Sequence, residues 1–481
     1  MNIKLNKAEL ENKIYGCWLG KNIGGTMGAP FEGRREKLNI TGYTTPKGEP
    51  LPNDDLDLQL VWLRALELVG AKNMTANVLA DYWLTYISPH WNEYGIGKSN
   101  LSVGLLPPLS GEVENVWKNS NGAWIRSEVW ACLAPGFPNI AAKYAIMDAS
   151  IDHGFAEGTY AEIFTAALES MAFFESDIRT LIEEGLKFIP ESSKVAIAVN
   201  TVLDCYDKKM DWEQARDKVV EVTKDTGWFQ APDNLGFMVI GLMYGEGDMQ
   251  KSLCYAINCG DDTDCTAATC GAILGIIMGA DKISKELTDY IGDRIVTISI
   301  NGMYLQRIPK TCTELTDRVM KCIPDVLSAH NVFAEIADCE TEYNKAAAFN
   351  VLKNYSGDVL ARSPYSFEIG DPVHTSAVIE YEKAPRIKPL DEFKVKVTLS
   401  NHREDSRYYN IDVFLPEGWT ADYNKTCHTI YRQTPHGQDG KAVWEMTVYA
   451  GERVEGINKI VVMISAHEHA VPIMIPIVLL G

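Results

Sequence analysis

The chain has 481 residues, more than one ordinary domain, and this length predicts two or three domains. Hydrophobic residues make up 46% and charged residues 23%, which argues against global disorder and provides for a large core. The formal net charge of −20 argues against a nucleic-acid-binding or anionic-membrane surface. It leaves room for a small phosphate-bearing ligand, whose charge a metal or backbone groups could meet.

Cysteine usage and apolar runs indicate the compartment. The 11 cysteines are scattered without a CxxC pair, which favours reduced thiols over a zinc site or a disulfide framework. The N-terminal residues lack the apolar stretch of a signal peptide. The longest apolar runs, 271–280 and 471–480, fall short of the ~20 residues that span a bilayer. We therefore expect a cytoplasmic protein without a membrane partner.

The first part of the chain, to about residue 345, has the periodicity of a helical domain. Residues 58–69, the Ala-rich residues 160–174 and the small-residue run 267–279 predict helices, and the last of these predicts close packing on all sides. Residues 325–346 continue the helical pattern. We predict one all-α domain over residues 1–350.

The pattern then changes to short strands. Apolar and polar residues alternate over 393–399, and similar runs occur at 376–382, 409–415, 443–449 and 459–465. Turn signals at 416–418 and 436–440 separate them. This spacing predicts an immunoglobulin-like β-sandwich over residues 365–481.

Two acidic clusters carry the functional signal, residues 52–57 (PNDDLD) and 260–266 (GDDTDCT). Carboxylates this close repel each other unless a positive charge lies between them, and a hard divalent cation suits oxygen ligands. Each cluster also precedes a helix, so helix capping is the alternative. Neither cluster has the Gly and Glu positions of an EF-hand.

Four blocks then resemble one known family: 28–33 (GAPFEG), 53–55 (NDD), 121–126 (NGAWIR) and 262–265 (DTDC). In this order they are similar to motifs of the ADP-ribosylglycohydrolases, including the dinitrogenase reductase-activating glycohydrolases. The resemblance covers roughly residues 10–300 and excludes the β domain. It implies an all-α fold with two Mg²⁺ ions in a central cleft, where a pair of cations can orient a water and stabilise charge.

By motif position, the resemblance implies the following roles. The metal ligands would be Asn53, Asp54, Asp55, Asp262, Asp264 and Cys265. Glu32, Asp54 and Asp55 would be catalytic, with Glu32 as a general acid or base.

Two positions depart from the family pattern. Asn53 replaces a Thr, and its amide oxygen can still ligate Mg²⁺. Cys265 also replaces a Thr, and a thiol is a poor ligand for a hard cation. Thr266 or Asp261 as substitute ligands, another divalent metal such as Mn²⁺, and a single ion remain the alternatives at this point.

Asn121, Gly122, Trp124 and His153 are the candidate substrate-binding residues. The Trp-rich central segment, with Trp91 and Tyr94 upstream among glycines, could form a stacking floor for a sugar or base, although core packing is the commoner role of tryptophan. For His153 the alternative is a structural histidine.

These features together predict a metal-dependent hydrolase of an N- or O-glycosidic bond in a small-molecule glycoside or an ADP-ribosylated substrate, first of all an ADP-ribosyl compound or related riboside. The alternatives are hydrolysis of a different glycoside, and a non-catalytic nucleotide- or sugar-binding protein. A third alternative treats both acidic clusters as structural caps.

Overall fold

The computed structural model describes residues 1–48, 50–371, 374–403, 405–429, 440–467 and 469–481. The chain divides into two compact units, one of residues 1–98 and 115–359 and the other of residues 99–114 and 360–481. The segment 99–114 therefore belongs to the second unit, although the first unit flanks it in sequence. Apart from Gly440, the predicted turn at 436–440 lies outside the described residues.

The first unit is helical. Its helices up to residue 207 are α1 Lys7–Gly28, α2 Asp54–Val69, α3 Ala76–Tyr86, α4 Asn92–Val103 (which continues into the second unit), α6 Glu128–Leu133, α7 Pro138–His153, α8 Glu157–Ala172, α9 Ile178–Gly185 and α10 Lys194–Asp207. The remaining helices are α11 Trp212–Thr223, α12 Ala231–Gly245, α13 Met249–Asn258, α14 Thr263–Met278, α15 Lys285–Ile291, α16 Cys312–Ser328, α17 Lys345–Asn350 and α18 Tyr355–Leu360; the short α5 Leu109–Glu112 lies in the second unit. Within the described ranges, no helix combines the length and the apolar character that crossing a membrane requires.

The predicted helices at 58–69, 160–174 and 267–279 are confirmed as α2, α8 and α14 to within a few residues at their ends. The predicted helix over 325–346 is wrong in its middle. There α16 ends at Ser328, and strand β2, Phe333–Ala337, pairs in parallel with strand β1, Asn2–Asn6. Pairing between segments more than 300 residues apart is a tertiary contact, and the local periodicity of 325–346 does not encode it.

Helices α1 and α14 pack along a seam of small residues. In α1 the residues of the seam recur every four positions, and each meets a partner of α14 in reverse order; the pairs are Gly16 with Gly275, Gly20 with Gly271, Gly24 with Ala267, and Gly28 with Thr263. A Cβ added at Gly20 would lie 2.0 Å from the Gly271 carbonyl oxygen, so the two backbones touch. This antiparallel packing sets the end of α1 beside the start of α14.

We predict that Gly20→Ala destabilises the protein strongly, by roughly 3 kcal/mol or more, because the backbone of α14 must move to admit the methyl group. Gly357→Ala in α18 is the control, since Gly357 is exposed and a Cβ there would meet no atom within 4 Å. The control is expected to be neutral or stabilising by about 0.5–1 kcal/mol. Urea denaturation of both variants measures the difference, and equal stability would refute the close seam.

The second unit is a β-sandwich. Its strands are β3 Ser366–Asp371, β4 Thr375–Tyr381, β5 Glu392–Asn401, β6 Arg407–Phe414, β7 Thr420–Tyr423, β8 Thr426–Thr429, β9 Lys441–Tyr449, β10 Ile457–Ala466 and β11 Ile473–Leu480. They form a four-stranded sheet, β11-β10-β6-β8, and a five-stranded sheet, β3-β4-β5-β9-β7, with antiparallel neighbours throughout.

The sandwich buries the apolar side chains that alternate along β5, together with residues from both sheets. The five predicted strands are confirmed as β4, β5, β6, β9 and β10. Leu105, Leu109 and Val113 also pack in this core, which explains why the segment 99–114 groups with the β unit.

Candidate metal and substrate site

The candidate site lies in the helical unit, where the ends of α1, α2 and α14 converge. Glu32 follows a 3₁₀ turn, Ala29–Phe31, that continues α1. Asn53 caps α2 by accepting a hydrogen bond from the Asp55 N–H at 2.8 Å. The Thr263 hydroxyl at the start of α14 donates to the Gly28 carbonyl at 2.9 Å. The α1–α14 seam thus brings the block 28–33 to the second acidic cluster.

The two acidic clusters of the sequence meet. The Cys265 Sγ of the second cluster donates to Asp55 Oδ1 of the first at 3.4 Å. One ligand atom each from Asp55, Asp264 and Cys265 lies within 4.8 Å of the others, and Glu32, Asp262 and Asp264 form a second such group. Asp264 belongs to both groups, so the two groups are adjacent.

A cavity of about 420 Å³ opens over these residues, a volume within the usual range for small-molecule sites. Seven predicted site residues line it: Glu32, Asp54, Asn121, Gly122, Asp262, Asp264 and Cys265. Trp91 and Tyr94, the candidate stacking aromatics, line it as well, and Trp91 is 49% exposed. The other lining residues are Ala29, Pro52, Asn92, Glu93, Ser120, Ile125, Phe229 and Ile298.

Buried carboxylate oxygens test whether a metal fits here. Asp55 Oδ2 and Asp264 Oδ1 are buried and have no hydrogen-bond partner among the described residues. Lys21 lies 4.0 Å from Asp55 Oδ2, whereas it pairs closely with Glu128 at 2.7 Å. Orphaned buried carboxylate oxygens are costly, and a hard divalent cation satisfies them. The donor set therefore fits a divalent metal.

The carboxyl groups of the site have raised pKa values, because they are desolvated and close together. Burial, followed by the charge of Asp264, raises the pKa of Asp54 to about 6. The Glu32 side chain is exposed, yet partial desolvation and the charges of Asp264 and Asp54 raise its pKa to about 7. Burial first, and neighbouring carboxylates second, raise the pKa of Asp262 well above its usual range. A bound cation would offset this repulsion.

Trp124 and His153, two candidate substrate-binding residues, are fully buried and lie outside the lining of this cavity. The Trp124 Nε1 donates to Asn121 Oδ1 at 3.0 Å, and the Asn121 Nδ2 donates to Asp262 Oδ2 at 2.8 Å. The His153 Nε2 lies 3.1 Å from the Ser120 Oγ, and its Nδ1 lies 2.9 Å from Asp152. Both residues therefore support lining residues from behind the wall.

Sequence reasoning missed Glu93, which is buried, lines the cavity and is close to Asp152 and His153. Its segment, 92–95 (NEYG), matches no motif, so nothing in the sequence marks it. Arg126, which closes the block 121–126, is a second residue whose role the sequence does not reveal. Its guanidinium is fully buried and pairs with Asp148 and Asp152, both at 2.7 Å, and it donates to the Gly122 carbonyl.

A helical unit with a carboxylate-lined cavity between converging helix ends has the features of a small-molecule site. A family model described as ADP-ribosylglycohydrolase matches residues 6–320. Since this match covers more than half of the chain, the protein belongs to the ADP-ribosylglycohydrolase family. The resemblance noted in the four sequence blocks is thereby confirmed, and the chain is a glycohydrolase of this superfamily.

Two solved structures resemble parts of the chain. One, described as an ADP-ribosylglycohydrolase-related protein complex, is 17% identical and aligns with 66% of this chain and 98% of its own, with a TM-score of 0.46. The other, a FixG-related protein from Vibrio parahaemolyticus, is 14% identical and aligns with 23% of this chain and 98% of its own, with a TM-score of 0.19. A search of curated proteins found no match.

Proposed function

We propose that the protein is a divalent-metal-dependent glycohydrolase that cleaves the N- or O-glycosidic bond of a riboside, with ADP-ribosyl compounds as the substrates that the family suggests first. The supporting observation is the pair of orphaned buried oxygens, Asp55 Oδ2 and Asp264 Oδ1, which come from distant segments and lie in one cluster under a cavity. A solely structural capping role would leave these oxygens unsatisfied.

Mg²⁺ is the first candidate metal, with two ions expected and Mn²⁺ as the alternative. The ligands would be Asp54, Asp55, Asp262 and Asp264, joined by Asn53 and Cys265. The Asn53 Oδ1 accepts from the Asp55 N–H, and an amide oxygen has a second lone pair to offer. When bound, the metal supplies an orienting point for substrate hydroxyls and water and stabilises developing charge.

Side chains of the protein would carry out the proton transfer and the positioning of the substrate. Glu32, exposed at the cavity and adjoining Asp262 and Asp264, would move the proton to or from the reacting oxygen. Asp54, which lines the cavity, would help to position the substrate and the attacking water. Asn121 would keep the Asp262 carboxyl in one orientation through its 2.8 Å hydrogen bond. Trp124 and His153 act through Asn121 and Ser120 and are positioning residues.

We expect Glu32→Gln to lower kcat by roughly 10²–10⁴-fold, because the amide cannot exchange a proton with the substrate. Mg²⁺ affinity, measured by calorimetry, should change far less than in Asp264→Asn, since Glu32 is the exposed member of its group. Glu36→Gln, an exposed carboxylate on the same segment that pairs with Arg34, is the matched control. A Glu32→Gln enzyme with unchanged kcat would exclude Glu32 as the proton-transfer residue.

Cys265→Thr should raise the affinity for Mg²⁺ severalfold, because a hydroxyl oxygen is a harder ligand than the thiol now beside Asp55. Titration with Mg²⁺ and with thiophilic Cd²⁺ should show the preference shifting toward Mg²⁺. The half-buried Cys322 in α16 provides the control substitution, Cys322→Ser. An unchanged Mg²⁺ titration would mean that residue 265 does not contact the ion.

The direct test of the function is a substrate screen in Mg²⁺, in Mn²⁺ and after chelation with EDTA. Free sugar would be quantified from ADP-ribosylated protein, ADP-ribose, adenosine and nitrophenyl glycosides. The proposal predicts release that stops in EDTA and returns with metal. Metal-dependent ligand binding without release would favour the non-catalytic binding protein instead.

A further inference from the structure

We propose that Glu93 is a second catalytic residue, the general acid that gives a proton to the leaving group as the glycosidic bond breaks, and that Ser120 is its positioning residue. This inference rests on the proposed glycohydrolase function and adds to it the residue that serves the leaving group. Glu32 would then serve the attacking water.

The Glu93 carboxyl is buried at the cavity wall and incompletely hydrogen-bonded. Glu93 is 6% exposed and lines the cavity, and its Oε2 has no hydrogen-bond partner in the described part of the chain. A Cβ on Gly122, another lining residue, would lie 2.1 Å from Glu93 Oε1, so glycine is required there to admit the carboxyl. Glu93 also lies in the first turn of α4, but an exposed carboxylate would complement the helix dipole equally well without the cost of burial.

A chain of polar contacts behind the wall fixes the position of Glu93. The Ser120 hydroxyl interacts with the Glu93 carboxyl and lies 3.1 Å from His153 Nε2. The His153 Nδ1 lies 2.9 Å from Asp152 Oδ1, and Asp152 accepts a hydrogen bond from Arg126 at 2.7 Å. A carboxyl supported in this way is held in one orientation, as a group that transfers a proton must be.

The surroundings of Glu93 favour its protonated form. Burial raises the pKa of Glu93; His153 lowers it by a smaller amount, and the charge of Asp152 raises it again. Asp54 faces the same space, because the charge of Glu93 adds to burial and to Asp264 in raising the pKa of Asp54. A general acid must hold its proton until the bond breaks, and such an environment helps it to do so.

Two carboxyl groups in different environments allow separate acid and base roles. Glu32 takes a proton from the attacking water, and the water oxygen bonds to the anomeric carbon. The glycosidic bond breaks with its electron pair on the leaving oxygen or nitrogen, and Glu93 gives that atom its proton. After product release, Glu32 loses a proton to solvent in the cavity and Glu93 regains one.

Substrates that differ only in the leaving group test this role. Methoxide needs a proton to leave, whereas 4-nitrophenolate leaves without one, so the methyl and 4-nitrophenyl ribosides would be compared, each also in its ADP-ribosyl form. Glu93→Gln should lower kcat/KM for the methyl member by roughly 10²–10⁴-fold and for the 4-nitrophenyl member by less than about tenfold. Ser120→Ala should show the same dependence at smaller size, Glu32→Gln should slow both members alike, and the exposed Glu36→Gln should change neither.

Equal losses for both members, or no loss for either, in Glu93→Gln would overturn the inference and leave the glycohydrolase function in place. Hydrolysis of the 4-nitrophenyl members alone by the wild type would also overturn it, since the enzyme would then lack an acid for the leaving group. A wild type that hydrolyses no member of either series would overturn the proposed function together with the inference.

The pH profile of the wild type decides the matter even if the variants fold poorly. For the methyl member, kcat/KM should fall as the pH rises above the pKa of Glu93, because the acid then loses its proton. This fall should be absent for the 4-nitrophenyl member. Groups that serve both substrates, such as Glu32 and Asp54, affect both profiles alike. Identical profiles for the two members would overturn the inference.

Discussion

Asp264→Asn is expected to abolish metal-dependent turnover and to lower Mg²⁺ affinity by about 100-fold or more. Asp264 is the residue shared by both groups of candidate ligands, and its Oδ1 is one of the two orphaned buried oxygens. The amide keeps the shape of the side chain and removes its charge. The loss should therefore appear in metal binding while the fold is retained.

Thermal unfolding is a second measurement that tests the Asp264→Asn variant. Without metal, Asp264→Asn should melt higher than the wild type, because it removes a charge from a crowded buried cluster. With saturating Mg²⁺ the wild type should gain about 2.7 kcal/mol at a concentration of 100 Kd, and the variant should gain almost nothing. Asp261→Asn is the control, since Asp261 belongs to neither ligand group. A variant that still gains stability from Mg²⁺ would contradict the assignment, and an affected control would make Asp261 a ligand.

Arg126→Met is expected to have the largest effect on stability, a loss of about 3–5 kcal/mol. The substitution leaves the buried carboxylates of Asp148 and Asp152 without their shared guanidinium, and it removes the donor to the Gly122 carbonyl at the cavity wall. Burial already raises the pKa of Asp148 to about 6 despite this pairing, so the cluster has little tolerance for losing it.

Urea denaturation measures this loss. Arg126→Lys, which keeps the charge but not the planar fork, should fall between the wild type and Arg126→Met. Arg179→Met provides a matched surface control, because Arg179 pairs with Asp207 at the protein surface, where such pairs contribute little. If Arg126→Met unfolded at the same urea concentration as the wild type, the buried ion-pair cluster would not support the fold.

Local sequence was sufficient for the elements whose pattern is local. The alternation along 393–399 predicted β5, and the resemblance of the four blocks to a known family implied that the two acidic clusters meet. The packing of Leu105, Leu109 and Val113 into the β unit was not predictable, because it is a tertiary contact that their local sequence pattern does not encode. For the same reason the local pattern of residues 333–337 predicts helix and not strand β2, since its partner β1 lies at the other end of the helical unit's sequence.

The site residues also divide into those that the sequence identifies and those that only the folded chain reveals. Glu32, Asp54, Asp262 and Asp264 stand in recognisable blocks and line the cavity. Trp124 and His153 stand in or near such blocks too, but whether a side chain faces a cavity or the core depends on tertiary packing, which their spacing does not report. Glu93 lies in no block, so only the folded chain shows that its carboxyl enters the wall.

The central claim is that Asp55 and Asp264 hold a divalent cation together. Anomalous difference density from crystals grown with Mn²⁺ tests it most directly. We predict a peak within about 2.0–2.2 Å of a carboxylate oxygen from each residue, lost in Asp264→Asn crystals. Absence of a peak between these two residues, at a Mn²⁺ concentration that supports turnover, would contradict the account.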